Sequence, residues 1–329
     1  MIIMYGVSKI IVILCLLCFV ISKKHGHSHK PRKIIIDTDP GGDDALAVML
    51  ALMYESKSHD IDILAITVTY GNTNLENAEK NLLKILTVAD RKVPVYIGAH
   101  KPLINKYKTD YYFGDDGFGD FNFTQKITAK VDRSKHASVL LVDLVKQYPG
   151  EIIVITLGPL TTIATAIALE PNFLHLVKQH IMMGGTLKNG ELEFNFKQDP
   201  ESNWIALNNT VKPSIVLPID TVNSHAFSQD EYTSVYNNID STIANFLHLA
   251  ERKALEKGNN IWLPSDGITM AIALQPDIIM RSFETHLTSV LVGDAKGSVV
   301  ANPDNPVHNV KIVEYFNKNA FKRFLLKYL

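Results

Sequence analysis

The chain has 329 residues, 46% of them hydrophobic, with 33 Lys and Arg against 34 Asp and Glu. That is enough for a large buried core, and the near-zero net charge gives no electrostatic reason to expect nucleic acid or an anionic membrane as partner. Aromatic residues at 9% and sparse low-complexity sequence argue against a disordered chain.

The first 30 residues differ in kind. Lys9 precedes IIVILCLLCFVIS (10–22), an apolar run of signal-peptide length and short for a bilayer span. Residues 1–22 are therefore expected to be a signal peptide and the protein secreted. Counting back through 2–8 gives the alternative, an uncleaved signal-anchor that tethers it to a membrane. Both cysteines, Cys15 and Cys18, lie in this run, so a cleaved chain would have no thiol and would depend on packing alone. Residues 23–32 read as a His/Lys-rich linker, although His25, His27 and His29 also suit a transition metal. Asn122-Phe-Thr and Asn208-Asn-Thr are glycosylation sequons, in keeping with secretion.

From residue 33 strand-like and helix-like segments alternate. KIIID (33–37) reads as a buried strand and DDALAVMLALMY (43–54) as a helix. A strand at 63–71, a helix at 74–89 and a strand at 93–98 follow, then a loop at 109–123 rich in Gly, Asp and aromatics. Next come a helix at 136–148, a strand at 151–158, a helix opened by Pro159 in its first turn, and a strand at 180–185 ending in glycines. WIALNN and residues 213–220 continue the pattern. Helices are expected around 228–256 and 267–275, then a hairpin at 289–302 with Gly293 near its turn. The alternation predicts an α/β fold: a single domain over 33–329 with an open, mainly parallel sheet and helices on both faces.

The sharpest local signal is IIIDTDPGGDDAL, where Asp37, Asp39, Asp43 and Asp44 follow a strand across a Pro-Gly-Gly turn. Sites in such sheets form beyond the carboxyl ends of strands. Asp43 and Asp44 alone are explained as helix-start residues, favoured by the helix dipole. Asp37 and Asp39 converge on the same turn without that excuse, and clustered carboxylates need a cation or large pKa shifts. An all-oxygen set without Cys or His suits Ca²⁺ or Mg²⁺ better than zinc. Other polar groups stand at separate strand ends: Asn72, the Leu157 carbonyl, Glu193 and Asn195 flanking Phe194, and Asp266.

These residues, with AITVTYGNTNLENA, VITLGPLTTIA, IMMGG and EFN followed by DPE, resemble the nucleoside hydrolase family of the inosine-uridine-preferring type over about residues 33–316. The resemblance implies the nucleoside hydrolase fold, with a Rossmann-like core, and hydrolysis of the N-glycosidic bond of ribonucleosides to free base and ribose. It also implies a bound Ca²⁺ and a homodimer or homotetramer. Carried over by position, Asp39, Asp44 and Asp266 are side-chain calcium ligands and Leu157 supplies its carbonyl. Asp39 is also the base that activates the calcium-bound water. Asp43, Asn72, Glu193 and Asn195 hold ribose hydroxyls, Met183 lies beside the ribose, and Asp37 supports the ligands from behind.

Two positions depart from the family pattern. Many members carry His just before the last aspartate, where it helps protonate the leaving base; here it is Ser265. The loop between Gly185 and Glu193 is shorter than in many members, and Asn189 is only a candidate for its ribose-binding asparagine. Stacking the base on aromatics would substitute for the acid, with Tyr111, Tyr112, Phe113, Phe118 and Trp262 available; the same residues read equally well as loop anchors or core. Purines, which can be protonated at N7, are then the expected preference. The competing readings are a catalytically impaired secreted protein that binds nucleoside or calcium, supported by Ser265 alone, and a haloacid dehalogenase-type phosphatase. The latter also begins strand–DxD but needs an apolar residue or Thr soon after, which PGGDD does not supply.

Overall fold

Ile34, Ile35 and Ile36 are fully buried, yet they do not share one core: Ile34 and Ile36 face one hydrophobic cluster and Ile35 the other. A strand that is apolar on both faces must lie inside a sheet covered on both sides. A computed structural model of the protein, which describes residues 30–188, 190–209, 212–258 and 261–329, has that arrangement. The expected signal peptide, the histidines at 25, 27 and 29, and Asn189 lie outside the described residues.

The strands are β1 (Arg32–Thr38), β2 (Ile61–Val68), β3 (Val95–Ile97), β4 (Ile152–Thr156), β5 (Gln179–Met183), β6 (Ser214–Leu217), β7 (Ile279–Ser289), β8 (Val299–Asn302) and β9 (Val310–Phe316). They form one sheet in the order β3-β2-β1-β4-β5-β6-β9-β7-β8. The seven strands from β3 to β9 in this order run parallel, while β7 and β8 close the edge antiparallel. One face packs on the helices Gly42–Ser58, Leu75–Val88, Ser241–Lys257, Ser265–Leu274 and Lys318–Tyr328. The other packs on Ala137–Gln147, Thr161–Leu169 and Pro200–Asn208. After β1 the chain winds outward to β2 and β3, then returns to the opposite side at β4. The loops leaving β1 and β4 therefore diverge, which opens a crevice at their carboxyl ends.

The expected α/β class and sheet are present. The helix expected around 228–256 is two, Gln229–Tyr236 and Ser241–Lys257. Asp240 accepts from the amides of Thr242 and Ile243, so the Asn237–Asp240 stretch caps a new helix instead of continuing the old one. Pro159 precedes the helix Thr161–Leu169 and is not in its first turn. Arg32, assigned above to the linker, already belongs to β1 and pairs with Asp60 at 2.7 Å. The hairpin around Gly293 forms, but its first strand starts ten residues earlier, at Ile279, because it also pairs with β9.

Candidate active site

β1 carries Asp37 into the turn Asp39-Pro40-Gly41-Gly42, from which the helix Gly42–Ser58 departs with Asp43 and Asp44 in its first turn. A Cβ at Gly41 or Gly42 would lie 2.8 or 2.7 Å from the Phe113 ring, so the paired glycines let that ring rest on the turn. Asp44 is fixed from three directions. Thr38 Oγ1 donates to it at 2.5 Å, the Gly41 amide at 2.9 Å and Asn72 Nδ2 at 3.0 Å. Asn72 also donates its backbone N–H to Asp39 Oδ2 at 2.7 Å and its side-chain amide to the Asp39 carbonyl at 3.2 Å. Asp39 is wedged between two glycines: a Cβ at Gly71 or at Gly158 would lie 2.7 Å from its Cγ.

A cavity of about 290 Å³ opens over this turn. Asp43 and Asn72 reach it from the loops after β1 and β2, Leu157 from the end of β4, and Met183 from the end of β5. Glu193 caps the short helix Phe194–Gln198: its carboxylate accepts from the amides of Gly185 at 2.8 Å, Asn195 at 2.9 Å and Phe196 at 3.0 Å. Asn195 Nδ2 donates to the Leu157 carbonyl at 2.6 Å, tying the ends of β4 and this helix together. Ser265 and Asp266 enter at the start of the helix Ser265–Leu274. A Cβ at Gly267 would lie 2.7 Å from Leu46, so this glycine lets the two acid-bearing helices approach. Their N-termini both point partial positive charge at the carboxylates.

One oxygen from each of Asp43, Asp44 and Asp266 lies within 4.8 Å of the other two, a spacing that oxygen ligands around one hard cation can span. Asp39 is not among the three, but its Oδ1 is buried without a partner among the described residues, as is Asp37 Oδ2. Burial, then the charge of Asp44, holds the Asp39 carboxyl well above the usual range. Burial and then Asp44 do the same to Asp43; burial, then Asp43, Asp44 and Asp39, do the same to Asp266. Burial raises Asp44 too, against the hydrogen bonds from Thr38 and Gly41. Asp37, behind them, is pushed up to about 7 by burial, although Thr67 Oγ1 donates to its Oδ1. Without a cation this site would hold protons; the donors, all oxygens, fit a dication that replaces them.

The structure thus gathers Asp39, Asp43, Asp44, Asn72, Leu157, Met183, Glu193, Asn195, Ser265 and Asp266 at one crevice. Phe113 and Tyr112 line the cavity, but Trp262 does not. Trp262 is 2% exposed, donates Nε1 to Glu251 at 2.9 Å and packs on Phe227, Tyr232 and Tyr236, so it is a core residue and unavailable for base stacking. Phe118 is likewise buried against Phe121 and Phe246. Sequence reasoning missed Asp110 and Asn223, which stand at the cavity mouth. Asp110 lies within the Asp- and aromatic-rich loop at 109–123 already singled out; nothing around Asn223 marks it. Gly71 and Gly158 are the other omission, and their sole signal is a glycine within three residues of a strand's carboxyl end.

Residues 34–323 match the family described as inosine-uridine preferring nucleoside hydrolase. The chain is 39% identical over 180 residues to a probable uridine nucleosidase 2 of Arabidopsis thaliana, covering 52% of this chain and 54% of that protein. It is 36% identical over 193 residues to an inosine-uridine preferring nucleoside hydrolase of Leishmania major, covering 56% of this chain and 60% of that one. The matches therefore span less than two thirds of these curated relatives. A solved plant nucleoside hydrolase superimposes with a TM-score of 0.80 at 27% identity, over 90% of this chain and 98% of its own. An inosine-guanosine nucleoside hydrolase gives 0.81 at 24% identity, over 91% and 99%, which speaks for the fold. With the family pattern spanning nearly all of the sheet and its crevice, the chain belongs to the inosine-uridine preferring nucleoside hydrolase family.

Proposed function

We propose that the protein hydrolyses ribonucleosides to free base and ribose, with Asp39 as the base that takes the proton of the attacking water. The observation that carries this reading is the pairing of an unpartnered, buried Asp39 Oδ1 with the three-carboxylate cluster at the floor of a cavity of nucleoside size. Asp39, Asp44, Asp266 and the Leu157 carbonyl would hold Ca²⁺. Bound calcium supplies a template for the vicinal ribose hydroxyls and positive charge at the acid cluster. Asp43, Asn72, Glu193 and Asn195 orient the sugar through hydrogen bonds. The carboxylates favour the oxocarbenium-like charge that develops as the C1′–N bond breaks. Asp37 supports Asp39 from the strand below.

Ser265 lines the cavity and a serine hydroxyl cannot act as the leaving-group acid at neutral pH. Tyr112 and Phe113 remain as stacking surfaces. This supports a purine-leaning specificity, because a purine can leave after protonation at N7 by solvent while a pyrimidine lacks that atom. The apolar run at 10–22 supports secretion, and the family supports a homodimer or homotetramer. The experiment is base release from inosine, adenosine, guanosine, uridine and cytidine by the purified protein. Free base with higher kcat/KM for purines is expected; uridine preferred over inosine refutes the specificity, and no base from any nucleoside refutes the activity. Binding without turnover would favour the impaired-enzyme reading instead.

A further inference from the structure

A second groove, of about 600 Å³, adjoins the catalytic cavity and shares Asp110 and Phe194 with it. Its charge is of opposite sign to that of the acid-lined site. Lys106, Lys108 and Lys197 all line it, exposed. Among the described residues none of the three has an ion-pair partner, whereas nearby Lys296 is held by Glu201 at 2.6 Å. Asp110 is the carboxylate in the groove lining, which leaves a surplus of two positive charges. Asn105, Thr109 and Gln198 add neutral hydrogen-bonding groups.

Resting on the proposed nucleoside hydrolase reading, we propose that this groove is a phosphate subsite, holding the 5′-phosphate of a ribonucleoside 5′-monophosphate whose sugar occupies the catalytic cavity. The position of the phosphate follows from chemistry. The 2′ and 3′ hydroxyls are the vicinal pair able to chelate a cation, and C1′ carries the base. Only C5′ can bear a phosphate and leave both in place. The groove meets the cavity at Phe194, between Glu193 and Asn195, while Ile219, Leu263 and Ser265 line no part of it. Three unpaired ammonium groups suit a dianion as point charges and need no fixed fork geometry. They also offset the repulsion a phosphate would meet from the acidic floor.

The loop that carries Lys106 and Lys108 is anchored to the catalytic turn. Tyr107 OH donates to the Gly71 carbonyl at 3.1 Å and Thr109 Oγ1 to the Asn72 carbonyl at 3.0 Å. Gln198 Nε2 donates to the Lys108 carbonyl at 2.8 Å, which fixes this loop against the helix that bears Lys197. The lysine backbones are thus placed by the same framework that places Asn72, and a ligand spanning both sites meets two walls of fixed spacing.

The test is competition by inosine 5′-monophosphate against inosine hydrolysis, in the wild type and in the triple variant Lys106→Ala, Lys108→Ala, Lys197→Ala. Inosine 5′-monophosphate is expected to compete, and the triple variant to weaken it about tenfold while changing kcat/KM for inosine less than twofold. Raising salt from low to physiological strength should weaken the nucleotide and leave inosine unaffected. Absence of competition in the wild type, or competition equal in both proteins, overturns the subsite. If inosine is not hydrolysed at all, the functional reading fails instead. Calorimetric titration of the two proteins with the nucleotide then still reads the subsite, through the same tenfold difference.

Discussion

Gly158→Ala tests the placement of Asp39 without touching a carboxylate. Gly158 follows Leu157 at the end of β4, and its backbone is not in the left-handed region, so alanine brings no conformational strain of its own. The new Cβ would lie 2.7 Å from Asp39 Cγ and 3.1 Å from Asp39 Cβ, where ordinary contact starts at 3.4 Å. On its other side Asp39 faces Gly71, where a Cβ would also lie 2.7 Å from its Cγ, so the room for retreat is small. The carboxylate must therefore shift by most of an ångström, and a displacement near 1 Å from productive geometry costs roughly 100-fold in rate. That corresponds to about 2.7 kcal/mol of transition-state stabilisation. The assay is steady-state base release from inosine, with circular dichroism and a melting curve to verify folding. A fall in kcat of about 30- to 100-fold in a folded protein is expected. A folded variant with wild-type kcat would refute the claim that Asp39, held at this spot, takes the proton.

Asp39→Asn should keep the shape of the turn and the hydrogen bond from Asn72, yet lose at least ~100-fold in kcat, since the amide cannot accept the water proton; a loss under tenfold would contradict the assignment. Trp262→Phe should lower the melting temperature but leave KM for inosine unchanged, because it strips Glu251 of one buried partner at a cost of about 1–3 kcal/mol and removes nothing from the cavity wall; a KM effect would return Trp262 to the site. Glu231 resists burial's upward push and is held down to about 2 by Lys318 and Lys322. A depressed folded pKa contributes stability above the unfolded value and loses it as pH falls toward 2. Glu231→Gln should therefore flatten the loss of melting temperature between about pH 4.5 and pH 2, by about 1 kcal/mol at this partial exposure. Parallel curves for the two proteins would contradict it.

The parallel core was legible because its strands are apolar on both faces and separated by amphipathic helices of ordinary length. IIID and EIIVIT announce their own burial. The antiparallel edge was less legible: β7 reads ETHLTS at its end, with polar residues on the exposed face, and its pairing with β9 depends on a contact far along the chain. The break at Asn237–Asp240 was a local signal passed over, since Asn-Asn-Ile-Asp supplies the cap it needs. In the site, the acids were visible by their density in sequence. The glycines that seat Asp39 were not, because the need for a missing Cβ appears only when β1, β2 and β4 lie side by side. Trp262 failed as a stacking residue for a similar reason: its indole N–H is satisfied by Glu251, eleven residues earlier on the helix Ser241–Lys257.

The most direct measurement is base release from inosine by protein dialysed exhaustively against chelator, before and after calcium is restored, with bound metal counted in the same samples. The clustered carboxylates of Asp39, Asp43, Asp44 and Asp266 require that stripped protein release no hypoxanthine and that about one Ca²⁺ per chain bring the activity back. Full activity in protein free of metal, or recovery with zinc and not with calcium, would contradict a hard cation held by these aspartates.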